Sequence, residues 1–184
     1  MVSPVDASGR FHQQVLARLQ DAPDQVAVVE GERRITRRAL YDDMLAAIDG
    51  AVDRIYFETY IWKDDRVGRR FKDALIRAAE RGVDVFCAYD VFGNLVVKQS
   101  FFRFPASVHV LRHLPWSGLR GPIVRRSPGL NHRKMLIVDD EVAFVGGYNI
   151  GSLYANRWRD THARITGEAV ADLANAFVDY WNQI

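Results

Sequence analysis

The strongest constraint on the fold is a strand, a helix and a second strand that follow one another in the first half of the chain. Residues 55–62 and 83–89 are short apolar runs rich in β-branched and aromatic residues, which is typical of buried strands. Between them apolar residues recur at helical spacing; Asp64 or Asp65 can cap this helix, and Gly82 can end it. A β-α-β unit with a crossover helix implies two parallel strands in one sheet.

The other periodic segments extend this unit to a layered domain. The sequence predicts further helices at residues 37–52 and 168–181, and further strands at residues 108–111, 134–138, 142–146 and 158–165. Helices normally cover both faces of parallel strands, so we expect an α/β fold with a mixed, largely parallel sheet sandwiched by helices. We assign it to residues 35–184. Residues 1–34 have no clean period, and we interpret them as an N-terminal helix and connector of unknown role.

Composition places the chain among ordinary proteins with a packed core. It has 184 residues, of which 48% are hydrophobic and 26% charged, and a net charge of +2, which is too small to indicate nucleic-acid binding by itself. No apolar run approaches the length of a membrane span, and the first residues have no apolar signal core. We therefore expect a cytoplasmic protein, or a peripheral one at the inner face of the membrane. The single Cys87 lies in an apolar run and is expected to pack in the core.

The chemistry is concentrated in residues 131–149. His132 and Lys134 are two residues apart at the start of a predicted strand, so the imidazole and the ammonium lie on the same face. Breaking a phosphodiester by covalent catalysis needs a nucleophile and a cation against the phosphate oxygens, and these two residues supply both. Downstream, Gly147 leaves room for the backbone to approach an anion, and Asn149 can donate its side-chain amide to a phosphate oxygen.

Three carboxylates are candidates around this pair. Asp139 is part of the same motif, but its odd offset from Lys134 predicts that it points away and holds the following turn. Asp160 is our candidate for the carboxylate that orients the histidine and stabilises its cation. Glu58 lies in an apolar strand, where a carboxylate needs a partner; we interpret it as a residue of the substrate site or as half of a buried ion pair.

The pattern His132-x-Lys134-x4-Asp139-x6-Gly146-Gly147-x-Asn149 resembles the HKD motif of the phospholipase D superfamily. Residues 55–65, 81–85 and 158–162 are similar to the first half of bacterial cardiolipin synthase-like members, so the resemblance covers roughly residues 35–184. It implies a nucleophile at His132, phosphate binding by Lys134 and Asn149, and a carboxylate partner at Asp160. It implies no cofactor and no metal.

The resemblance also implies that an active site needs two such motifs, one histidine attacking phosphorus while the other protonates the leaving alcohol, and this chain has one. We therefore expect phosphodiester cleavage or phosphatidyl transfer on a phospholipid, completed by a second HKD half in the same protein or in a homodimer. One alternative is a homodimeric nuclease-like phosphodiesterase, for which the Arg125-Arg126 pair could contact nucleic acid. The other is an inactive single half that only binds a partner.

Overall fold

The structure is a computed structural model that describes residues 26–30, 33–114 and 129–183, with side chains from residue 36 onward within these ranges. The predicted β-α-β unit is present. Strand β3 (Arg54–Thr59) and strand β4 (Asp84–Asp90) pair in parallel, joined by helix α2 (Arg66–Glu80). Of the two possible caps, Asp65 is the one used, because its carboxylate accepts hydrogen bonds from the first backbone N–H groups of α2.

Among the described residues, the main sheet has six strands, and their order in chain numbering is β5-β4-β3-β6-β7-β8. Strand β5 (Val108–His113) is parallel to β4, whereas β6 (Met135–Val138), β7 (Val142–Gly146) and β8 (His162–Thr166) add antiparallel pairings. The mixed α/β class is confirmed. Of the five pairings between these described strands two are parallel, so the parallel part is smaller than predicted. Strand β6 enters antiparallel to β3, and the short turn after it makes β7 antiparallel to β6.

Helices cover both faces of the sheet, as expected. Helix α1 (Arg37–Gly50), α2 and the short α3 (Ser152–Asn156) pack on one face, together with 3-10 turns at Phe92–Asn94 and Gln99–Phe102. Helix α4 (Ala169–Asn182) covers the other face, where its apolar residues meet Tyr56, Ala88 and Ile137. Among the described residues, side chains on the two faces of the sheet therefore pack into two separate cores. The fully buried Cys87 belongs to the core beneath α1 and α2.

The N-terminal part differs from its prediction where it is described. Strand β1 (Val26–Glu30) pairs with β2 (Arg33–Thr36) as an antiparallel hairpin, so these residues form strands where we expected a helix or connector. Thr36 then caps α1 through its hydroxyl. The expected helix before residue 26 lies outside the described residues. Strand β8 also begins later than predicted, because α3 and an extended stretch precede it.

One end of the sheet gathers the ends of six strands. The carboxyl ends of β3, β4, β5 and β7 meet there with the first residues of β6 and β8, as the pairings Glu58 with Met135, Asp90 with His113, and Gly146 with His162 require. Side chains at or just beyond these ends therefore share one edge of the molecule, although they are far apart in sequence.

Candidate active site

His132 and Lys134 face each other at this edge. The ammonium Nζ of Lys134 lies 3.1 Å from His132 Nδ1 and also donates to the His132 carbonyl. His132 is exposed, whereas Lys134 is only 4% exposed. Desolvation and then the Lys134 charge lower the pKa of His132, and desolvation lowers the pKa of Lys134. The predicted pairing of imidazole and cation on one face is present.

Tyr60, which the sequence analysis did not identify, forms the wall behind this pair. Its ring centroid is 4.5 Å from that of His132, and Lys134 Nζ lies 5.3 Å from it. An aromatic face stabilises a nearby ammonium and restricts the imidazole to one side of the site. The sequence signal for Tyr60 was its position two residues after Glu58, just past the end of β3.

Asn149 is placed to present its amide group. Its side-chain oxygen accepts a hydrogen bond from Ile61 N at 2.9 Å, and its backbone carbonyl accepts one from Tyr41 Oη at 2.6 Å. The oxygen of the amide is thereby engaged with the segment that follows β3. The Nδ2 donor, on the other branch of the amide, has no hydrogen-bond partner among the described residues. A phosphate oxygen is an acceptor of the kind this donor needs.

Asp160 lies against Gly147 and makes no hydrogen bond to His132 in the described part of the chain. A Cβ at Gly147 would fall 1.9 Å from Asp160 Oδ1, so only glycine admits the carboxylate there. The backbone of Gly147 donates to Thr161 O at 2.8 Å, and Asp160 Oδ1 accepts from Thr161 N. Desolvation lowers the pKa of both His132 and Lys134, and the negative charge of Asp160 partly counters this lowering. Its influence on the pair is therefore electrostatic in this state.

His162 lies beneath the site as a buried neutral imidazole. It is 3% exposed, and neither ring nitrogen has a hydrogen-bond partner among the described residues. Desolvation and the Lys134 charge lower its pKa from 6.5 to about 4. A side chain at Gly146 would collide with it, because a Cβ there would lie 2.9 Å from its Nδ1. His162 is therefore neutral at pH 7, and the charge in contact with His132 is that of Lys134.

Asp139 lies at the opposite end of β6 from Lys134. Its carboxylate accepts three backbone hydrogen bonds, from Val52 N, Asp53 N and Arg54 N, at 2.8 to 2.9 Å. These bonds join the turn between β6 and β7 to the loop between α1 and β3. This placement supports the structural role that the odd spacing predicts, although the partners are in another loop rather than in its own turn.

Glu58 and Asp90 support the segment that carries His132. The Glu58 side chain is fully buried and pairs with Arg133 at 3.0 Å and with the Asn131 amide. Burial raises the pKa of Glu58, and Asn131 and Arg133 partly counter the shift. Asp90 accepts from Gly93 N and from Asn131 N, so it caps the turn after β4 and anchors the motif segment as well. Both carboxylates therefore contact residues adjacent to His132 in the chain.

Two further properties concern ligands and membranes. Within residues 26–30, 33–114 and 129–183, no group of three His, Cys, Asp or Glu side chains is arranged to hold a metal ion. None of the helices in this part of the chain is both long and apolar enough to cross a bilayer. The Arg125-Arg126 pair lies outside the described residues.

Solved structures with the same fold are found in several bacteria. NucT from Helicobacter pylori has a TM-score of 0.62 and 19% identity, covering 78% of this chain and 87% of NucT. Nuc from Salmonella typhimurium, described as a phospholipase D family member, has a TM-score of 0.58 and 24% identity, covering 80% of this chain and 88% of Nuc. At such identities the likeness shows the fold alone, and the fold is that of phospholipase D-like domains.

Sequence relatives specify the family. The major cardiolipin synthase ClsA of Bacillus subtilis is 38% identical over 154 residues, which cover 79% of this chain and 32% of ClsA. The chain thus spans about a third of the length of the curated relatives it matches. Residues 44–181 match the family described as "Cardiolipin synthase, PLD-like domain". The resemblance carried by the HKD pattern is confirmed: this chain belongs to the phospholipase D-like domain family of the cardiolipin synthases.

Proposed function

We propose that this chain is one catalytic half of a phospholipase D-type phosphatidyltransferase or phosphodiesterase that acts on phospholipid. His132 is the nucleophile, and Lys134 and Asn149 bind the phosphate oxygens. Asp160 orients the histidine and stabilises its cation. We assign this function to residues 35–184, a domain whose first residues are the end of the β1–β2 hairpin.

The observation that carries this proposal is the contact between His132 Nδ1 and Lys134 Nζ. It joins an exposed imidazole, which can reach a substrate, to a buried ammonium, which can neutralise a phosphate oxygen. Because the pKa of His132 is lowered, the imidazole is neutral at pH 7 and keeps a lone pair for attack. The low dielectric around Lys134 strengthens its attraction for a phosphate.

Substrate binding sets the tautomer of His132. An ammonium at Nδ1 places the imidazole proton on Nε2, whereas attack by Nε2 requires that proton to be on Nδ1. A phosphate oxygen competes for the Lys134 ammonium and frees Nδ1. The exposed imidazole then exchanges its Nε2 proton with solvent and takes up a proton at Nδ1, which turns to the Asp160 carboxylate.

The complete reaction needs an acid as well as the nucleophile. His132 Nε2 forms a bond to phosphorus as the bond to the leaving alcohol breaks, and that alkoxide takes a proton from the histidine of a second HKD half. Water or an acceptor alcohol, deprotonated by that second histidine, then attacks the phosphohistidine and releases His132. The second half comes from the rest of a longer protein or from another copy of this chain.

A lipid substrate is supported by the apolar rim of the site, defined as Phe92, Leu95, Val96 and Leu130. These side chains are between 48% and 84% exposed. The Asp90 carboxylate binds the backbone next to two of them, at Gly93 and Asn131, and so holds the two parts of the rim together beside His132. Exposed apolar side chains around a site suit a peripheral contact with a membrane. The relatives named as cardiolipin synthases point to the same substrate class.

The test is direct detection of the covalent intermediate. We expect purified protein with both halves present to form an acid-labile phosphohistidine at His132 with phosphatidylglycerol vesicles, located by peptide mass spectrometry. His132→Asn should abolish it, while His109→Asn, an exposed histidine on β5 away from the motif, should not. Formation with single-stranded DNA and not with vesicles would favour the nuclease-like alternative. Failure with both substrates would favour the inactive binding module.

A further inference from the structure

The segment before the nucleophile is held by its alternate residues. The Gly129 carbonyl and the side chains of Asn131 and Arg133 each bond to the rest of the protein, while His132 is exposed. The Gly129 carbonyl is 2.8 Å from His113 Nε2, and Asn131 and Arg133 both donate to Glu58. The nucleophile therefore projects from a backbone that is fixed on each side.

These hydrogen bonds form one network that passes through helix α4. Tyr180 Oη lies 2.7 Å from His113 Nδ1. A carbonyl oxygen can only accept, so His113 Nε2 carries a proton and donates to Gly129 O. With the proton on Nε2, His113 Nδ1 can accept a hydrogen bond from the Tyr180 hydroxyl. Burial raises the pKa of Tyr180, which keeps this hydroxyl protonated as a donor at neutral pH.

Arg133 links the same network to His132 from its C-terminal side. Its guanidinium donates to Glu58, lies 4.3 Å from the Tyr180 ring centroid and donates to the Ala176 carbonyl of α4. Glu58 is fully buried, so its charge depends on Arg133 and Asn131. The network thus runs from β3 and β5 to α4 and returns to both sides of His132.

We propose that Tyr180 and Glu58 are positioning residues for His132, which they act on through Gly129, Asn131 and Arg133 without contacting the substrate. The inference rests on the proposed function for its effect on rate, although the positioning itself does not depend on the identity of the substrate. A displacement of about 1 Å at a catalytic group costs about 100-fold in rate. A buried hydrogen-bonded network is rigid enough to prevent it.

The discriminating variant is Tyr180→Phe, measured in the assembled protein. It keeps the ring against Arg133 and removes the hydroxyl that donates to His113 and lies beside the Asn131 side chain. We expect kcat to fall at least tenfold, with KM for phosphatidylglycerol vesicles changed less than twofold and with the thermal midpoint close to that of the wild type. Tyr56→Phe is the matched control, because Tyr56 stacks on Phe177 of the same helix at 4.7 Å outside this network, and it should keep full kcat.

Glu58→Gln is the second variant. A glutamine keeps an oxygen acceptor and the volume but loses the charge that holds Arg133, so we expect a similar fall in kcat. A loss of thermal stability with unchanged kcat in both variants would mean a structural role only, and would overturn the inference.

A measurement without substrate separates this inference from the proposed function. In protein with 13C-labelled histidine, the imidazole signals of His132 should shift in Tyr180→Phe and stay in place in Tyr56→Phe. If they shift and the wild type forms no phosphohistidine, the positioning holds and the proposed reaction is wrong. If His132 gives identical signals in all three proteins, the positioning role is refuted whatever the activity.

Discussion

At the scale of single residues, two aspartates in succession play unequal parts. Asp139 and Asp140 both have left-handed backbone conformations, with φ of 53° and 56°, which asparagine tolerates as well as aspartate. Asp139 accepts three backbone hydrogen bonds, while the carboxylate of Asp140 is 4.0 Å from Arg54 and partly exposed. The two positions therefore form a matched pair for substitution.

Asp139→Asn should lower the free energy of unfolding by about 2 kcal/mol, because hydrogen bonds to a charged acceptor are replaced by weaker ones and an amide N–H₂ is turned toward a donor. Asp140→Asn should change it by less than about 0.5 kcal/mol. Urea denaturation of the two variants measures the difference. Without urea, where Asp139→Asn is still folded, the variant should keep the wild-type kcat. A large loss of kcat under these conditions would assign Asp139 to the chemistry instead.

His162 makes stability depend on pH. Its folded pKa of about 4 lies below the ordinary 6.5, so the unfolded chain binds the proton more readily. Its contribution is complete above pH 6.5 and is lost as the pH falls toward 4. Between pH 7 and pH 5 we expect a loss of about 2 kcal/mol from this residue.

The measurement is the free energy of unfolding of wild type and of His162→Phe at both pH values. Phenylalanine has a similar shape and no titrating group, so its loss between pH 7 and pH 5 should be smaller by about that amount. Equal losses in the two proteins would show that His162 titrates normally in the folded state.

At the scale of elements, the residues just after β7 and just before β8 fit together because Gly147 lacks a side chain. Gly147→Ala would place a Cβ within 1.9 Å of Asp160 Oδ1, so the carboxylate must leave its position near the His132 and Lys134 pair. We expect formation of the phosphohistidine to slow about 100-fold. Gly50→Ala is the control, since a Cβ there meets nothing within 4 Å.

Both variants should remain folded, as circular dichroism and the thermal midpoint can establish. If Gly147→Ala reacts at the wild-type rate, the placement of Asp160 against this glycine is not needed for the reaction.

The elements that the sequence predicted well are those with strong local patterns. The strand before Asp64, helix α2 and strand β4 follow from periodicity and end signals, and the pair His132 and Lys134 follows from the two-residue repeat of a strand. The hairpin of β1 and β2, the short α3 and the partners of Asp139 did not follow. Their contacts join residues more than 80 positions apart or depend on turns with weak signals, which periodicity does not encode.

At the scale of the whole molecule, the question is how two motifs meet. If the second half is another copy of this chain, each active site needs His132 from both copies. Activity in mixtures of wild type and His132→Asn should then vary with the square of the wild-type fraction, because mixed pairs are inactive.

An equal mixture after subunit exchange should therefore show about a quarter of the wild-type activity, and light scattering should give the mass of a dimer. A mixture with half the activity would instead show that each active site depends on one copy of this motif, with the second supplied within the same polypeptide. The assay is release of headgroup from phosphatidylglycerol vesicles.

The position of Asp139, at the far end of β6 from Lys134, has a consequence for how the motif is used in genome surveys. A search pattern that requires the histidine, the lysine and the aspartate together selects for two separate properties. The histidine and lysine provide reactivity at one end of β6, and the aspartate holds a loop junction at the other end. Degenerate copies should therefore fall into two groups. Those that lose the histidine or the lysine should remain folded but inactive, while those that lose only the aspartate should keep their chemistry in a less stable fold.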